Sequence, residues 1–562
     1  MKEYFSNFLQ KIQVSANDQE KTSNWVNRDI MPLPSRRCTW NDWDFVGFWA
    51  VIALSISTWQ GCSSLLSIGL NVWQSMVIII IAKLLMFLIA VAHGWGGAVW
   101  HIGFPIYCRF TFGIIGSFFA FAQRIILCIV WYAEQAYTGG MCLSILLGSI
   151  FPSFYRMKNH FPESLPMTTK TFIGFVLYHV LSIPFLYIPP EKFKAPFRYV
   201  SLISLAAILG TSIGSMVHAH GAGNLLTSKS SITGSSNMGM TWMYGINIVI
   251  NSYAVGLANQ PDFSRFVKRP GQQIYGQAFS ILVLGTIIPF LGLLGTSAAS
   301  KSYGDVSTLG LWNPPNIISL WLEEKYDSKS RAAAFFASFG FFISTLGLNT
   351  IDNGVSGAMD LTALVPKFIN IRRGVYIIMI ISIVINPWQI VSKATIFTNV
   401  LGSYGCFLGP MIGVMISDYF LIRKQKLKIS DLYISEKGSI YWFFHGFNLR
   451  SWASWVAGFI PGIIGFPSVN PALTGKVPEA AIKLFHISFI IGFIISFLLQ
   501  TLLGHIFPPA GLGELDDVNT SFSGEKLNQI STIQDINSTK SDELGSSGKS
   551  EAGIRELSVT KA

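Results

Sequence analysis

Apolar stretches long enough to cross a lipid bilayer recur along the entire chain of 562 residues. A membrane-spanning helix needs about 20 consecutive, predominantly apolar residues. Windows of this kind lie at residues 46–68, 74–93, 111–137, 171–189, 198–217, 239–258, 275–297, 333–351, 374–392, 396–421, 451–468 and 483–506. Only 12% of the residues are charged, against about 25% in soluble domains. We therefore predict an all-α polytopic membrane protein that spans the lipid bilayer with about 12 transmembrane helices.

The positive charges indicate the orientation of these helices and give no reason to expect a nucleic-acid partner. The net charge is +11, and lysine and arginine concentrate in the cytoplasmic loops of membrane proteins. Basic residues fall mainly in the inner loops if the N-terminus is cytoplasmic, and an even number of spans then places both termini inside. We expect a cytoplasmic N-terminal tail (residues 1–44), a transmembrane transporter domain (45–507) and a cytoplasmic C-terminal tail (508–562).

The C-terminal tail is rich in serine, aspartate and glutamate, which predicts disorder. Its lysines and serines, like those of the N-terminal tail, suggest ubiquitin-type modification, although an inert solvated tail fits the composition equally well. The six cysteines show no CxxC spacing, so we expect neither a disulfide framework nor a metal site. No pattern of covalent catalysis is apparent, and we expect neither enzyme activity nor an organic cofactor.

Small and polar residues interrupt spans one and six. Those of span one include Ser55, Ser57, Gly61, Ser63 and Ser64, and those of span six are Asn251, Ser252, Gly256 and Asn259. The two spans correspond if the first ten helices form two five-helix repeats. Paired broken helices at matching positions are the best sequence indication of a transporter's midplane binding site. The alternative is close helix packing through small residues, which fits at least half of the glycines.

Span eight carries amides and a carboxylate at Asn349, Asp352 and Asn353. Polar groups at membrane depth are costly, and an intramembrane ionisable residue indicates a functional site by default. Asn349 and Asn353 are four residues apart and would share one face of a helix. Hydrogen bonding between packed helices is the alternative role for such asparagines.

Span three carries a second polar group, Trp131, Glu134 and Gln135. Trp131 and Gln135 share a helix face, with Glu134 beside them. An indole for stacking and an amide for edge hydrogen bonds suit a flat polar heterocycle. Such a site discriminates strongly, because a wrong substrate leaves buried polar groups unpaired. Taken alone, Trp131 also fits an ordinary core aromatic.

A set of ordered motifs resembles the nucleobase–cation symporter family 1, within it the fungal uracil/uridine/allantoin permease branch, which also includes thiamine and nicotinamide riboside transporters. The resemblance covers roughly residues 28–505. Its motifs are WQGCSS at 59–64, IGLNVWQ at 68–74, HIGFP at 101–105, FGIIGS at 112–117, WYAEQ at 131–135, NQPDFSRF at 259–266, DLTALVPK at 360–367 and SDYFLIRK at 417–424.

The resemblance implies two inverted five-helix repeats, like those of the sodium–leucine transporter, plus two further helices. By similarity to the bacterial hydantoin transporter, Trp131 would stack on the substrate ring and Gln135 would bond its edge. Asn349 and Asn353 match the two span-eight asparagines near the substrate. Tyr253 stands where that relative has a second stacking tryptophan.

The resemblance also bears on the coupling ion. In the bacterial relative, hydroxyls immediately before the first span-eight asparagine help to bind sodium, whereas Gly347 and Leu348 stand there in this chain. A proton, usual for the fungal members, therefore fits better than sodium. Proton coupling needs an ionisable group whose charge responds to burial or to neighbouring charges, and Glu134 and Asp352 are the candidates. The same carboxylates would alternatively pair with a cationic substrate, or with a structural base such as Arg124.

Together these features predict a proton-coupled importer of uracil, uridine or allantoin that works by alternating access. Import of a cationic heterocycle, thiamine or nicotinamide riboside, is the alternative substrate class. A non-transporting nutrient sensor is the alternative function. We expect the plasma membrane as the location, with a vacuolar or other internal membrane as the alternative.

Overall fold

The computed structural model describes residues 13–14, 25–435, 437–470 and 472–516, except for the side chains of Glu191 and Thr474. Most of the first 24 residues and everything after residue 516 therefore lie outside the described residues. The expected disorder and ubiquitin-type modification of the tails concern mainly those segments and stay predictions.

Helices form the whole described architecture. The spans are, in order, Asp42–Ala53 with Ile56–Ser67, Val72–Trp100, Ser117–Ile150, Thr169–Tyr187, Lys194–His218, Ser235–Asn251 with Ala254–Ala258, Gln272–Tyr303, Ser328–Leu364, Ile371–Ser382 with Ile383–Ile385, Ala394–Ile422, Leu449–Val469 and Ser488–Ile506. Shorter helices between them include Phe104–Phe112, Gln260–Ser264, Pro314–Glu324 and Glu479–His486. Within the described ranges, extended pairing is limited to two isolated bridges.

Each predicted window coincides with one of these helices. In the described part of the chain, nine are long and apolar enough to cross a membrane, and the bent pair of span one makes a tenth. Spans six and nine are shorter because each is interrupted, span six after Asn251 and span nine at Asn386, which has a φ of +55°. The predicted all-α membrane fold is confirmed.

Two boundaries differ from the windows for identifiable reasons. Span three begins at Ser117 and not near residue 111, because Gly113 has a φ of +93° and separates it from the helix Phe104–Phe112. A Cβ at Gly113 would lie 2.4 Å from the carbonyl oxygen of Gly446, so only glycine fits there. Span eight continues to Leu364, well beyond residue 351, because its polar residues stay helical.

Side-chain caps fix where the first two spans begin. The side chain of Asn41 accepts from the backbone N–H of Asp44, whose carboxylate accepts from the N–H of Asn41. Asn71 and Gln74 form the same reciprocal arrangement at the start of span two. Each capping box satisfies backbone donors that would otherwise be unpaired at a helix start.

The described part of the N-terminal segment packs against the ends of the helices. Trp40 is fully buried, and its N–H donates to the carbonyl oxygen of Phe266 at 2.9 Å. Asn27 Nδ2 donates to the carbonyl oxygens of Pro366 and Ile369, each at 3.1 Å. The chain that leads into span one is thus attached to the ends of spans six and eight.

Candidate substrate-binding site

The helix breaks of spans one and six lie against each other. Span one bends by 47° between its halves, and the hydroxyl of Ser55 caps the second half by accepting from the N–H of Thr58 at 3.2 Å. Span six is unwound at Ser252 and Tyr253. A Cβ at Gly61 would lie 2.8 Å from the Cβ of Ser252, so the halves meet without space for a side chain. The predicted interruption of both spans is confirmed, and this glycine also serves close packing.

A small cavity lies at this junction, with a volume of about 20 Å³. That is room for roughly one water molecule, so the cavity in this conformation is smaller than a heterocyclic ring. The cavity is lined by Ile52, Ser55, Ser57, Thr58, Trp131, Gln135, Ser252, Tyr253, Val255, Leu348, Asp352 and Asn353. Spans one, three, six and eight all contribute to it. Five of the seven residues predicted from the sequence line this cavity, and Glu134 and Asn349 do not.

On span three, Trp131 and Gln135 both line the cavity, and each has one buried polar atom without a partner among the described residues. Neither the indole Nε1 of Trp131 nor Oε1 of Gln135 has a hydrogen-bond partner among the described residues, although both atoms are buried. The indole packs near the rings of Phe397 and Tyr404 on span ten, at centroid distances of 6.4 and 6.1 Å. Buried polar atoms without partners are uncommon in folded proteins. Trp131 and Gln135 therefore offer one donor and one acceptor that the described protein atoms leave unused.

Glu134 lies behind Gln135 in a cluster of polar side chains. Its carboxylate accepts from the side-chain amide of Gln135 and, at 2.9 Å, from the hydroxyl of Thr138. The same amide of Gln135 donates to the hydroxyl of Ser57 at 2.5 Å. Glu134 thereby orients Gln135, and no basic side chain in the described part of the chain forms an ion pair with it.

The two asparagines of span eight have different surroundings. Residues Asn349–Val355 form a π-helical turn inside the span, a feature frequent at functional sites. Asn353 donates to Oδ1 of Asn349 at 2.9 Å, so the two share a face as predicted. Asn349 donates in turn to the carbonyl oxygen of Tyr132 at 3.1 Å and lies near the hydroxyl of Tyr178 at 3.4 Å. Asn349 thus joins span eight to spans three and four, whereas Asn353 faces the cavity.

Asp352 connects the cavity to a buried ionic cluster. Asn259 donates to its carboxylate at 2.9 Å and to its carbonyl oxygen at 3.0 Å, and the carbonyl oxygen of the Asn259 amide accepts from Arg124 at 3.2 Å. Arg124 pairs with Asp262 at 2.6 Å and with Asp360 at 2.5 Å.

Arg124 is therefore not the partner of Glu134 or Asp352, which was one of the sequence alternatives. Asp352 is linked to the guanidinium only through an amide.

Tyr253 occupies the break of span six between a hydroxyl and a cation. Its hydroxyl lies 2.6 Å from Oγ1 of Thr58 in span one, and Nζ of Lys83 lies 3.2 Å from the centroid of its ring. The hydroxyl contact connects the two broken helices directly. Tyr253 is also one of the residues that line the cavity.

A model of the family described as "Permease for cytosine/purines, uracil, thiamine, allantoin" matches residues 32–492. The chain belongs to this family. The transporter aclS of Aspergillus oryzae is 36% identical to this permease over 588 residues, which cover 94% of this chain and 95% of the relative. A thiamine transporter of Saccharomyces cerevisiae is 32% identical and covers 82% of this chain and 76% of its own.

Among solved structures, Mhp1, a nucleobase-cation-symport-1 family transporter in a closed conformation with bromovinylhydantoin bound, superimposes with a TM-score of 0.68. It is 19% identical and covers 86% of this permease and 97% of its own chain. The likeness confirms the expected fold, with five-helix repeats plus two helices. The family expected from the sequence motifs is confirmed by the match over residues 32–492.

Sequence reasoning named Ser57 and Asn259 as interruptions of spans one and six but missed their partners, and it missed Thr58 altogether. Ser57 and Thr58 bond Gln135 and Tyr253, and Asn259 joins Asp352 to the ionic cluster. These contacts are long-range, so neither spacing nor composition could pair them. One signal was available, because Lys83 stands alone in the apolar run of span two, and ionisable residues at such positions are functional candidates.

Proposed function

We propose that this permease imports a planar, neutral nucleobase-type heterocycle, uracil, uridine or allantoin, together with a proton. The substrate binds in the cavity between the broken helices, and the two helix bundles rock around it in alternating access. It is a transporter and not an enzyme. The proposed location is the plasma membrane with both termini cytoplasmic.

The observation that carries this proposal is the composition of the cavity. It combines two aromatic side chains, Trp131 and Tyr253, with the amides of Gln135 and Asn353. Aromatic rings stack on flat heterocycles, with about 1–3 kcal/mol per base in nucleic-acid complexes. Oε1 of Gln135, which has no partner among the described residues, supplies an acceptor for an N–H on the ring's polar edge. The family description includes uracil and allantoin among its substrates.

We propose a proton as the coupling ion, with sodium disfavoured. Gly347 and Leu348 offer no side-chain oxygen where the bacterial hydantoin transporter supplies hydroxyls. Ser344 and Thr345 carry hydroxyls one turn earlier, so they are displaced from the positions expected for sodium ligands, and they donate to the carbonyl oxygens of Leu54 at 3.1 Å and Phe342 at 2.8 Å. Asp352 lines the cavity and Glu134 supports Gln135, so either carboxylate could carry the proton next to the substrate.

A cationic heterocycle is the second candidate substrate, and one observation favours it. Within the described residues, Glu134 and Asp352 are both buried and neither has an ion-pair partner. A positively charged ring would supply that partner, since a buried carboxylate is costly when unpaired. Thiamine is included in the family description and is the substrate by which one relative is named.

The decisive experiment is uptake of radiolabelled uracil, uridine, allantoin, thiamine and nicotinamide riboside by cells that lack their own importers. Each is measured at two external pH values, with and without a protonophore. Saturable, protonophore-sensitive uptake of a neutral ring supports the main proposal. Uptake restricted to the cationic compounds supports the alternative, in which Glu134 and Asp352 pair with the positive charge of the substrate. No uptake of any compound, with the protein shown at the cell surface, favours a sensor.

Two isosteric variants assign the carboxylates in the same assay. Under the main proposal, neutralising the coupling carboxylate, by Glu134→Gln or Asp352→Asn, leaves uptake no longer stimulated at low external pH. Under the cationic alternative, the same variants raise the half-saturating concentration of the cation and leave the pH response unchanged. If neither variant alters either property, neither carboxylate has the proposed role.

A further inference from the structure

Lys83 lies in the middle of span two with no exposed surface. Its Nζ lies 3.2 Å from the centroid of the Tyr253 ring, at the break of span six. Tyr253 lines the cavity and Lys83 does not. Nζ of Lys83, which belongs to no lining residue, therefore contacts the ring of a residue that lines the cavity.

The other groups that face Lys83 are uncharged. Span one presents the thiol of Cys62, and span seven presents Gly285, whose Cβ position is 3.3 Å from the lysine side chain. Along span two, His93 is about 15 Å away by helix geometry, and it bonds the carbonyl oxygen of Leu257. Within the described chain, Nζ has no hydrogen-bond partner and no carboxylate lies within ion-pair distance.

Such surroundings make a permanent charge on Lys83 costly. An ammonium in an apolar interior is strongly disfavoured unless it is paired and hydrogen-bonded. A face-on aromatic ring compensates part of that cost through its quadrupole. Lysine, unlike arginine, readily gives up its proton when buried. The side chain is thus placed to alternate between an ammonium that attracts the ring and a neutral amine that does not.

We propose that Lys83 is a proton-binding site of the transport cycle, and that the ring of Tyr253 transmits its charge state to the substrate cavity. The inference rests on the proposed function, since it adds a proton site to a proton-coupled importer. Protonation produces the ammonium and draws the ring towards span two. Release of that proton to water leaves the amine and frees the ring at the break of span six.

Protonation of Lys83 and binding of substrate are then linked through the position of the Tyr253 ring. A substrate that stacks on Tyr253 favours one position of the ring, and so does the protonated lysine. Any change that protonation makes to substrate affinity must equal the change that substrate makes to proton affinity. Lys83 acts through Tyr253 and is a positioning residue.

The transport test uses purified full-length protein in liposomes with radiolabelled uracil, allantoin and thiamine. Lys83→Met keeps the length of the side chain without a charge, and Lys83→Arg keeps a charge that does not titrate. We expect an inward proton gradient to stimulate uptake by the wild type and not by either variant, while Lys83→Met still exchanges substrate without a gradient. The matched control Lys301→Met, at an exposed lysine ending span seven, retains the stimulation. Gradient-stimulated uptake by Lys83→Met overturns the inference.

A substrate-free measurement separates this inference from the proposed function. An unfolded chain keeps lysine protonated up to about pH 10, so a folded protein that releases the Lys83 proton binds fewer protons than its unfolded form. Stability then rises with pH relative to Lys83→Met. We measure melting temperatures in detergent from pH 5 to 9. We expect the melting temperature of the wild type minus that of Lys83→Met to become steadily more positive as the pH rises. A constant difference overturns the inference, and a sloping one with gradient-insensitive wild-type uptake overturns proton coupling alone.

Discussion

Removing Arg124 should destabilise the permease far more than removing either of its acidic partners. The guanidinium, fully buried, pairs with Asp262 at 2.6 Å and with Asp360 at 2.5 Å. It also lies 3.8 Å from the centroid of the Phe104 ring. Arg124→Met therefore leaves two carboxylates buried without their cation. Asp262→Asn or Asp360→Asn leaves one cation with one carboxylate.

The expected costs follow from these contacts. Breaking a buried ion pair by removing one partner costs about 3–5 kcal/mol, and two carboxylates losing one shared partner place Arg124→Met at the upper end. That corresponds to roughly a 1,000-fold or larger fall in the ratio of folded to unfolded protein. A single acid-to-amide change keeps an acceptor oxygen in place and costs about 1–3 kcal/mol, the range for a disturbed buried hydrogen bond.

A triple variant provides the sharper test. Replacing a buried ionic cluster by neutral groups is often tolerated, because desolvation of the charges is avoided. We therefore expect Arg124→Met combined with Asp262→Asn and Asp360→Asn to recover stability relative to Arg124→Met alone. Arg198→Met, at an exposed arginine near the start of span five, is the matched control and should behave as wild type.

The assay compares surface abundance in cells and melting temperature in detergent for all five variants. The expected order of stability is wild type and control, then the single amides, then the triple variant, and last Arg124→Met. Equal melting temperatures for wild type and Arg124→Met would refute the argument that this cluster depends on one cation. A triple variant less stable than Arg124→Met would refute the charge-based account of the loss.

Three further variants test the site, the first two by uptake normalised to surface abundance. Trp131→Ala should abolish uptake while the protein persists at the surface, because stacking is lost, whereas the exposed Trp73→Ala should transport normally; equal uptake removes Trp131 from the site. Asn353→Ala should also abolish uptake at normal abundance, since the substrate loses an amide partner, and normal uptake by both variants would refute the site assignment. Gly61→Ala should lower the free energy of unfolding by about 1–3 kcal/mol through overpacking at the helix breaks, and should lower surface abundance and melting temperature with it. Gly210→Ala, with open space around it, should not; an unchanged melting temperature for Gly61→Ala refutes tight packing there.

The fold could be predicted from the sequence because the hydropathy of a segment depends only on its own residues, and this hydropathy identifies the membrane-spanning helices. Each apolar window became a helix, and the interruptions near Ser55 and Ser252 became real breaks. Window edges failed where one residue's backbone decided the outcome, as at Gly113 with its positive φ. The π-helical turn that begins at Asn349 was not predicted either. Its residue pattern is compatible with an ordinary α-helix, and the backbone hydrogen bonds alone distinguish the two.

The site was predictable only up to its side-chain partners. Spacing placed Asn349 and Asn353 on one face, and they do bond each other. Which of the two faces the cavity depends on how spans three and four pack against span eight, and no local pattern encodes that packing. Likewise, the sequence offers several intramembrane carboxylates that could pair with Arg124. Only the tertiary structure shows that its partners are Asp262 and Asp360.

The hydrogen bonds at Asp352 connect the cavity to the buried ionic cluster of Arg124, Asp262 and Asp360. One carboxylate accepts from Asn259, and the amide of Asn259 accepts from Arg124. A proton or a cationic ring arriving at Asp352 competes with Asn259 for that carboxylate. Because Asn259 follows the unwound part of span six and Arg124 belongs to span three, this competition changes a contact between two helices that both reach the cavity. Under the proposed function, occupancy of the cavity would therefore be linked to the relative position of spans three and six through these hydrogen bonds, as alternating access requires.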